Sequence, residues 1–266
     1  MLSKFLKRPG KNNPRSTIEP GRRVYAIGDI HGCDDLLAQL LDQIDRDDDA
    51  RGPAETTIII LGDLVDRGPD SAAVVERLRL LKQARPAVRL LMGNHEEILL
   101  AALAGDDKAL RLFARIGGRE TLMSYGIDDA TYDRLDYPDL HRSLIDNIPS
   151  SHRQFIETFE DLIEIGGYAF VHAGIDPRSS LDQQRTRDLR WIREPFLSFP
   201  RPLDKMVVHG HTISDAVQQR AHRIGIDTGA YMSGTLTALG LEGDQRWFLY
   251  ARQSAQADQI GSMLSA

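Results

Sequence analysis

Through the first hundred residues, short β-branched and aliphatic runs alternate with amphipathic segments, and each run ends in glycine and polar residues. Arg23–Ile27 leads into Gly28-Asp29-Ile30-His31-Gly32, followed by a predicted helix from about Asp34 to Asp45. Thr57–Leu61 leads into Gly62-Asp63-Leu64-Val65-Asp66-Arg67-Gly68 and a helix from about Ser71 to Gln83. Val88–Met92 leads into Gly93-Asn94-His95-Glu96 and a helix from about Glu96 to Leu103. Repeated strand–loop–helix units build a sheet with crossover helices, and right-handed crossovers bring the loops after the strands to one sheet edge.

From about Asp106 to Phe159 the pattern changes to short helical pieces punctuated by Gly117-Gly118, Gly126, Pro138 and Pro149, which reads as a helical cap insertion. Beyond it short strands dominate: Ile163–Ile165, Tyr168–Val171, Met206–His209, Arg223–Ile226, Thr235–Leu239 and Arg246–Ala251. The expected class is therefore α/β (α+β), with two packed mixed β-sheets flanked by helices in one domain over residues 23–252.

Composition changes this picture little. A hydrophobic share of 41% with 27% charge suits a globular chain and argues against disorder. The single cysteine, Cys33, excludes a disulfide framework and a cysteine-rich zinc module. No run approaches the roughly 20 apolar residues of a membrane helix, and the apolar residues near the start are too few for a secretory signal. The cytoplasm is the default expectation.

Charge is more informative. Residues 1–23 carry seven basic side chains against Glu19 alone, so the rest of the chain holds −12 of a net −6. Residues 1–22, rich in Pro, Gly, Asn and Ser, are expected to be a basic, disordered tail, and 253–266 a polar C-terminal tail. An acidic body lacks the basic footprint of a nucleic-acid binder. Acidity of this kind is also how a metal site registers in a composition.

Five loops concentrate residues that bind metal or phosphate: the three after the first strands, His172-Ala173-Gly174, and His209-Gly210-His211-Thr212. Singly, each has a plain reading. An Asp–Gly pair makes a turn, Asn94 caps a helix, and a His after a strand is a hydrogen-bonded core residue. Together, five such loops after strands of one fold would converge on one edge. Carboxylate, amide and imidazole donors without thiolate suit borderline divalent ions such as Mn, Fe or Zn, and suit calcium poorly. Two ions are expected.

The motifs GDIHG, GDLVDRGPDS, GNHE, HAG and HGHT, in this order, resemble the metallophosphoesterases, specifically the phosphoprotein phosphatase branch. The resemblance implies the calcineurin-like αββα sandwich with its dinuclear site at the sheet edge. It places one ion on Asp29, His31 and Asp63, and the other on Asp63, Asn94, His172 and His211, with Asp63 bridging. It implies that a hydroxide held between the ions attacks phosphorus in line while His95, oriented by Asp66, protonates the leaving group. Arg67 and Asn94 would contact the phosphate, joined by Arg193, with Arg190 as its competitor. His209 is read as a core or supporting residue, and His141, His152 and His222 as structural or exposed. Cys33 is read as a small filler, Asp227 as packing beneath the ligands, and Glu96 and Glu97 as helix-start acids that can touch the site.

Met92 stands where the eukaryotic members carry Arg, and their long C-terminal loop has no counterpart, so Ile226-Asp227-Thr228-Gly229-Ala230 and the Trp191 segment look bacterial or phage-like. The activity this implies is a manganese-dependent serine/threonine protein phosphatase. Symmetrical hydrolysis of dinucleoside tetraphosphates, or another phosphoester, is the alternative. A catalytically dead phosphate-binding scaffold is the rival of a different class. The expected partners are phosphorylated proteins or small phosphoesters, without nucleic acid or a membrane span.

Overall fold

Period-two alternation along the first strand sorts its side chains between two cores. In β1 (Arg22–Ile27), Val24 and Ala26 face one way, and Tyr25 and Ile27 the other. The computed structural model describes residues 16–253. In it β1 pairs in parallel with β2 (Glu55–Ile60), and β2 with β3 (Val88–Leu90). Between them run α1 (Asp34–Arg51) and α2 (Ser71–Ala84), and α3 (Asn94–Leu103) follows β3. The helices α4 (Asp107–Ile116), α5 (Gly118–Ser124), α6 (Asp129–Tyr132), α7 (Tyr137–Asn147) and α8 (Ser150–Ile156) come next.

The second half supplies β4 (Leu162–Ile165), β5 (Tyr168–Val171), α9 (Thr186–Trp191), β6 (Met206–His209), β7 (Gln218–Gln219) and β8 (Arg223–Gly225). After α10 (Ala230–Ser233), the hairpin of β9 (Thr235–Glu242) and β10 (Gln245–Arg252) returns to the first sheet. The two sheets have orders β10-β9-β1-β2-β3 and β4-β5-β6-β8-β7, and both mix parallel and antiparallel pairs.

One core lies between the sheets, where Val24, Ala26, Ile59 and Leu61 meet Ile163, Phe170, Val208 and Ile224. A second lies between the first sheet and its helices, around Tyr25, Ile27, Leu37, Ile60, Val75 and Leu99. A smaller third core covers the outer face of the second sheet with Leu189 of α9 and Phe196. Two mixed sheets flanked by helices are what the hydrophobic pattern implied. The helices of residues 106–159 join the second core through Leu110, Phe113, Leu122, Leu144 and Phe155. They extend the helical layer on α2 and α3. Pro138 does not break a helix there; it sits in the first turn of α7, where its missing N–H costs nothing.

Other departures have local causes. Helix α1 runs six residues past Asp45 because tertiary partners hold its polar end: Tyr25 Oη donates to Asp47 at 2.6 Å, and Arg23 to Asp48 at 2.6 Å. Arg23, counted with the basic tail, is thus a buried residue that also pairs with Glu242 at 2.9 Å. The ordered body begins before it. Ile18 is buried and its N–H donates to the Gly243 carbonyl at 2.8 Å, while the Thr17 carbonyl accepts from Gly167 N at 2.8 Å. Residues 1–15 and 254–266, which hold the remainder of both expected tails, lie outside the described residues. Among the described residues no helix is long and apolar enough to cross a membrane.

Candidate active site

Strands β1, β2 and β3 are parallel, as are β5, β6 and β8, so the loops leaving their C-terminal ends gather at one edge of the two sheets. Those loops carry all five of the non-glycine residues with positive φ among the described residues: His31 (46°), Asp63 (50°), Asp66 (72°), Arg67 (70°) and His211 (63°). Left-handed backbone costs a residue with a Cβ about 1–2 kcal/mol. Such strain persists only where surrounding contacts over-determine the loop, and it points to a functional site.

Asp63 lies at the centre. Its Oδ2 is 3.5 Å from His31 Nε2 and 3.9 Å from His95 Nε2, and its Oδ1 is 3.4 Å from His172 Nε2 and accepts from His95 N–H at 3.1 Å. Two groups able to hold a cation share it: His31, Asp63 and His95 on one side, and Asp63, His172 and His211 on the other. Asn94 Oδ1 joins the second group, 3.0 Å from His172 Nε2 and 2.8 Å from His211 Nδ1. Asp29 is buried beside them, with Oδ2 accepting from His211 N–H at 2.9 Å. It stands outside the tight first group, where His95 takes the place expected for Asp29.

The electrostatics ask for cations. Burial, with the charges of Asp227 and Asp63, raises the Asp29 carboxyl well above its ordinary range. Burial likewise pushes Asp227 up to about 6, whereas the surrounding imidazoles outweigh burial at Asp63 and hold it down. Burial drives His31 and His211 down to about 3 and lowers His172, so these rings present neutral lone pairs. His31 and His172 commit Nδ1–H to the carbonyls of Val65 and Leu61, each at 2.8 Å, which turns Nε2 toward Asp63. The acceptor Nε2 of His172 then faces the acceptor Oδ1 of Asn94. Asp29 Oδ1 and His211 Nε2 are buried with no hydrogen-bond partner. Facing acceptors, orphaned acceptors and clustered carboxylates together fit bound divalent cations, and the N/O donor set suits borderline ions.

Beside this cluster, His95 Nδ1 bonds Asp66 Oδ2 at 2.6 Å, and Asp66 is fully buried. Burial opposes protonation of His95, but Asp63 and Asp66 outweigh it and raise the imidazole. The half-buried Arg67 lays its two terminal nitrogens on His31 Nε2 (3.0 Å) and His95 Nε2 (2.9 Å). Arg190 is bound to Asp161 at 2.7 Å and lies 3.6 Å from Glu97. Arg193 is exposed, and its charge acts on His211.

The profile of the calcineurin-like phosphoesterases matches residues 22–228. The chain belongs to that family. The family implies a dinuclear divalent-metal centre, in agreement with the two cation-holding groups around Asp63. Among curated relatives, a symmetrical bis(5'-nucleosyl)-tetraphosphatase of Dechloromonas aromatica (strain RCB) is 34% identical over 164 residues, covering 61% of this chain and 47% of that protein. One of the same name from Paracidovorax citrulli is 46% identical over 88 residues, 33% of this chain and 29% of that protein. This chain thus spans less than half the length of these relatives. A crystal structure provisionally named a diadenosine tetraphosphatase superposes with a TM-score of 0.62 at 22% identity, covering 90% of this chain and 99% of that one. A serine/threonine phosphatase from Saccharomyces cerevisiae gives 0.55 at 15% identity, covering 88% and 81%. At these identities the two structures share the fold alone, and the expected phosphoprotein branch gains no support from the named relatives.

The remaining histidines have other partners. His209 packs on Phe196 with Nε2 3.2 Å from Arg223 and Nδ1 2.9 Å from the Gly210 carbonyl. His152 bonds Tyr125 and Glu76, His222 the Phe196 carbonyl, and His141 the Leu103 carbonyl. Cys33 is half-buried with Sγ 3.5 Å from the His31 carbonyl. Glu96 lies beneath the site, where its carboxylate accepts the backbone N–H groups of Asp63, Leu64, Val65 and Gly93. Sequence reasoning missed Tyr231, whose ring meets His31 edge-on at 5.4 Å and lies 5.2 Å from the Arg67 guanidinium. It also missed Thr121 and Ser71, which bond Asp66. A lone Tyr in a short helix and a Thr 55 positions from its partner leave no signal in the chain.

Proposed function

We propose that this protein hydrolyses dinucleoside tetraphosphates symmetrically, using two divalent metal ions, with manganese as the working ion. The observation that carries the substrate is the 34% identity over 164 residues to a symmetrical bis(5'-nucleosyl)-tetraphosphatase. In this reading Asp29, His31 and Asp63 hold one ion, and Asp63, Asn94, His172 and His211 the other. The bound ions supply Lewis acidity and lower the pKa of a coordinated water.

The chain's own side chains do the rest. Arg67, half-buried with both terminal nitrogens turned inward, and Arg193 on the His211 side pair with phosphate oxygens, and their charge offsets what develops on the phosphoryl group. Asn94 Oδ1 would face the ion, which leaves its amide nitrogen for phosphate. Asp66 takes the Nδ1–H of His95, which leaves Nε2 as the nitrogen that gives a proton to the departing oxygen. A new P–O bond to the water oxygen replaces the central bridging P–O bond, and each half of the substrate leaves as a nucleoside diphosphate.

A substrate comparison tests this. The manganese-loaded protein is offered diadenosine tetraphosphate and phosphoserine or phosphothreonine peptides side by side. A kcat/KM at least tenfold higher for the dinucleotide is expected. A preference for the peptides would replace this reading with a protein phosphatase, and no metal-dependent turnover of either would favour the phosphate-binding scaffold.

A further inference from the structure

Asp66 and Arg67 are consecutive residues in left-handed backbone, at φ 72° and 70°. Neither is a glycine, and their two side chains point to different tasks: Asp66 bonds His95, and Arg67 reaches the mouth of the site. Consecutive strained residues need contacts that hold both, and here they come from the α4–α5 corner, with Ser71 of α2 beside it. Asp66 N–H donates to Thr121 Oγ1 at 2.9 Å and to Ser71 Oγ at 3.0 Å. Thr121 Oγ1 in turn donates to Asp66 Oδ1 at 2.6 Å, opposite the oxygen that takes His95. Arg67 N–H donates to the Gly117 carbonyl at 3.1 Å. Thr121 is on α5, and Gly117 is the left-handed residue joining α4 to α5.

We propose that the α4–α5 corner is a positioning device for the acid and arginine of the site, in which Thr121 orients Asp66 and Gly117 holds Arg67. The geometry separates the two effects. Thr121 is fully buried and grips the carboxylate on the side away from His95, so it sets which oxygen faces the imidazole and keeps that oxygen still. Ser71 supports it, 3.2 Å from Thr121 Oγ1. Gly117 admits no side chain: a Cβ there would lie 2.5 Å from Arg67 N and 2.8 Å from Arg67 Cγ. The core joining α4 and α5 to α2 and α3 thereby fixes residues that the sheet edge alone leaves strained. The inference rests on the reading of His95 as proton donor, with Thr121 acting only through Asp66.

Leaving-group dependence tests it, because a proton donor matters most when the departing oxygen is basic. The metal-loaded protein is assayed on phenyl phosphate, a poor leaving group, and 2,4-dinitrophenyl phosphate, a good one. For Thr121→Val, kcat should fall about tenfold on phenyl phosphate and less than about threefold on the dinitrophenyl ester. Thr121→Ser should restore the wild-type pattern. Gly117→Ala should raise KM and lower kcat on both esters, without the leaving-group dependence of Thr121→Val; unchanged kinetics on both would overturn the Gly117 part. Equal loss on both esters, or none, in a folded Thr121→Val would overturn the proposal. Should that variant fold poorly, Ser71→Ala, which removes the support but leaves the Thr121–Asp66 bonds in place, must show the same leaving-group pattern at reduced size. A second readout needs no turnover: the downfield Nδ1–H resonance of His95 in the metal-free protein should be present in wild type and Thr121→Ser and weakened or shifted in Thr121→Val. An unchanged resonance there would overturn the clamp. If wild-type protein turns over neither ester while it cuts diadenosine tetraphosphate, the resonance decides the clamp alone; if it cuts none of the three, the proposed function fails and the resonance still decides the clamp.

Discussion

Replacing Gly210 with alanine isolates a single contact at the edge of the site. Gly210 lies between His209 and His211, and its φ is one that alanine adopts without strain. An added Cβ, however, would sit 1.9 Å from Asp29 Oδ1 and 3.0 Å from Asp29 Cγ. Real Cβ contacts essentially never fall under 3.0 Å, so something must retreat by about 1 Å. The backbone is poorly placed to yield, because Gly210 N–H is bonded to the His172 carbonyl at 2.8 Å. The carboxylate moves instead, and its bond from His211 N–H at 2.9 Å is lost beside the buried Asp29. Overpacking costs about 1–3 kcal/mol and an unsatisfied buried donor about 1–3 kcal/mol, for a sum of about 2–6 kcal/mol. At about 2–4 °C per kcal/mol for a domain of this size, the melting temperature should fall by roughly 10 °C. Displacing a proposed ligand should also weaken manganese binding at least tenfold. Thermal denaturation in chelator and calorimetric titration with manganese measure the two effects. A melting temperature within about 1 °C of wild type, with unchanged affinity, would show that Asp29 is not held against Gly210 and would refute the reasoning.

Three further outcomes follow from named contacts. Asp63→Asn should lose at least one of two bound ions, because both cation-holding groups share that carboxylate; metal analysis showing two retained ions would remove it from the centre. His95→Asn should lower kcat about 100-fold or more while keeping both ions; loss of an ion would instead make His95 a ligand, as its approach to His31 and Asp63 geometrically allows. Glu76 bonds Arg79 at 2.7 Å and His152 at 3.0 Å, and the arginine first and the histidine next hold its carboxyl down at about 2. A depressed folded pKa stabilises above the unfolded value of about 4.5, and that contribution fades as pH falls from there toward 2. Glu76→Gln should therefore be slightly less stable than wild type at pH 6, with the gap narrowing from about pH 4.5 toward 2 in urea titrations; a gap that widens toward acid would contradict the pairing.

Much of this molecule is legible in its sequence because periodicity and loop chemistry are local. The near-continuous apolar runs in Val24–Ile27 and Thr57–Leu61 mark strands buried on both faces, and the residues closing each strand are those that meet around Asp63. What was missed is long-range. The end of α1 is held by Tyr25 and Arg23, more than twenty positions away, so its Asp-rich sequence carries no helical signal. Helix α9 buries only Leu189, too little for a periodic pattern, and the two-residue β7 exists only as a partner of β8. Within the site the ligand-type residues announce themselves by chemistry. Their supports do not: Thr121, Gly117 and Tyr231 have roles only because the fold brings them to Asp66, Arg67 and His31. The substrate is the least legible feature, since the same donors serve any phosphoester and the motifs alone favoured a phosphoprotein.

The most direct test is to follow the products of diadenosine tetraphosphate while manganese is titrated into chelator-treated protein. Turnover should be absent without metal, rise to a plateau at two ions per chain, and yield ADP alone. ATP with AMP as products, or turnover indifferent to manganese, would contradict a symmetrical cut at a site built around Asp63.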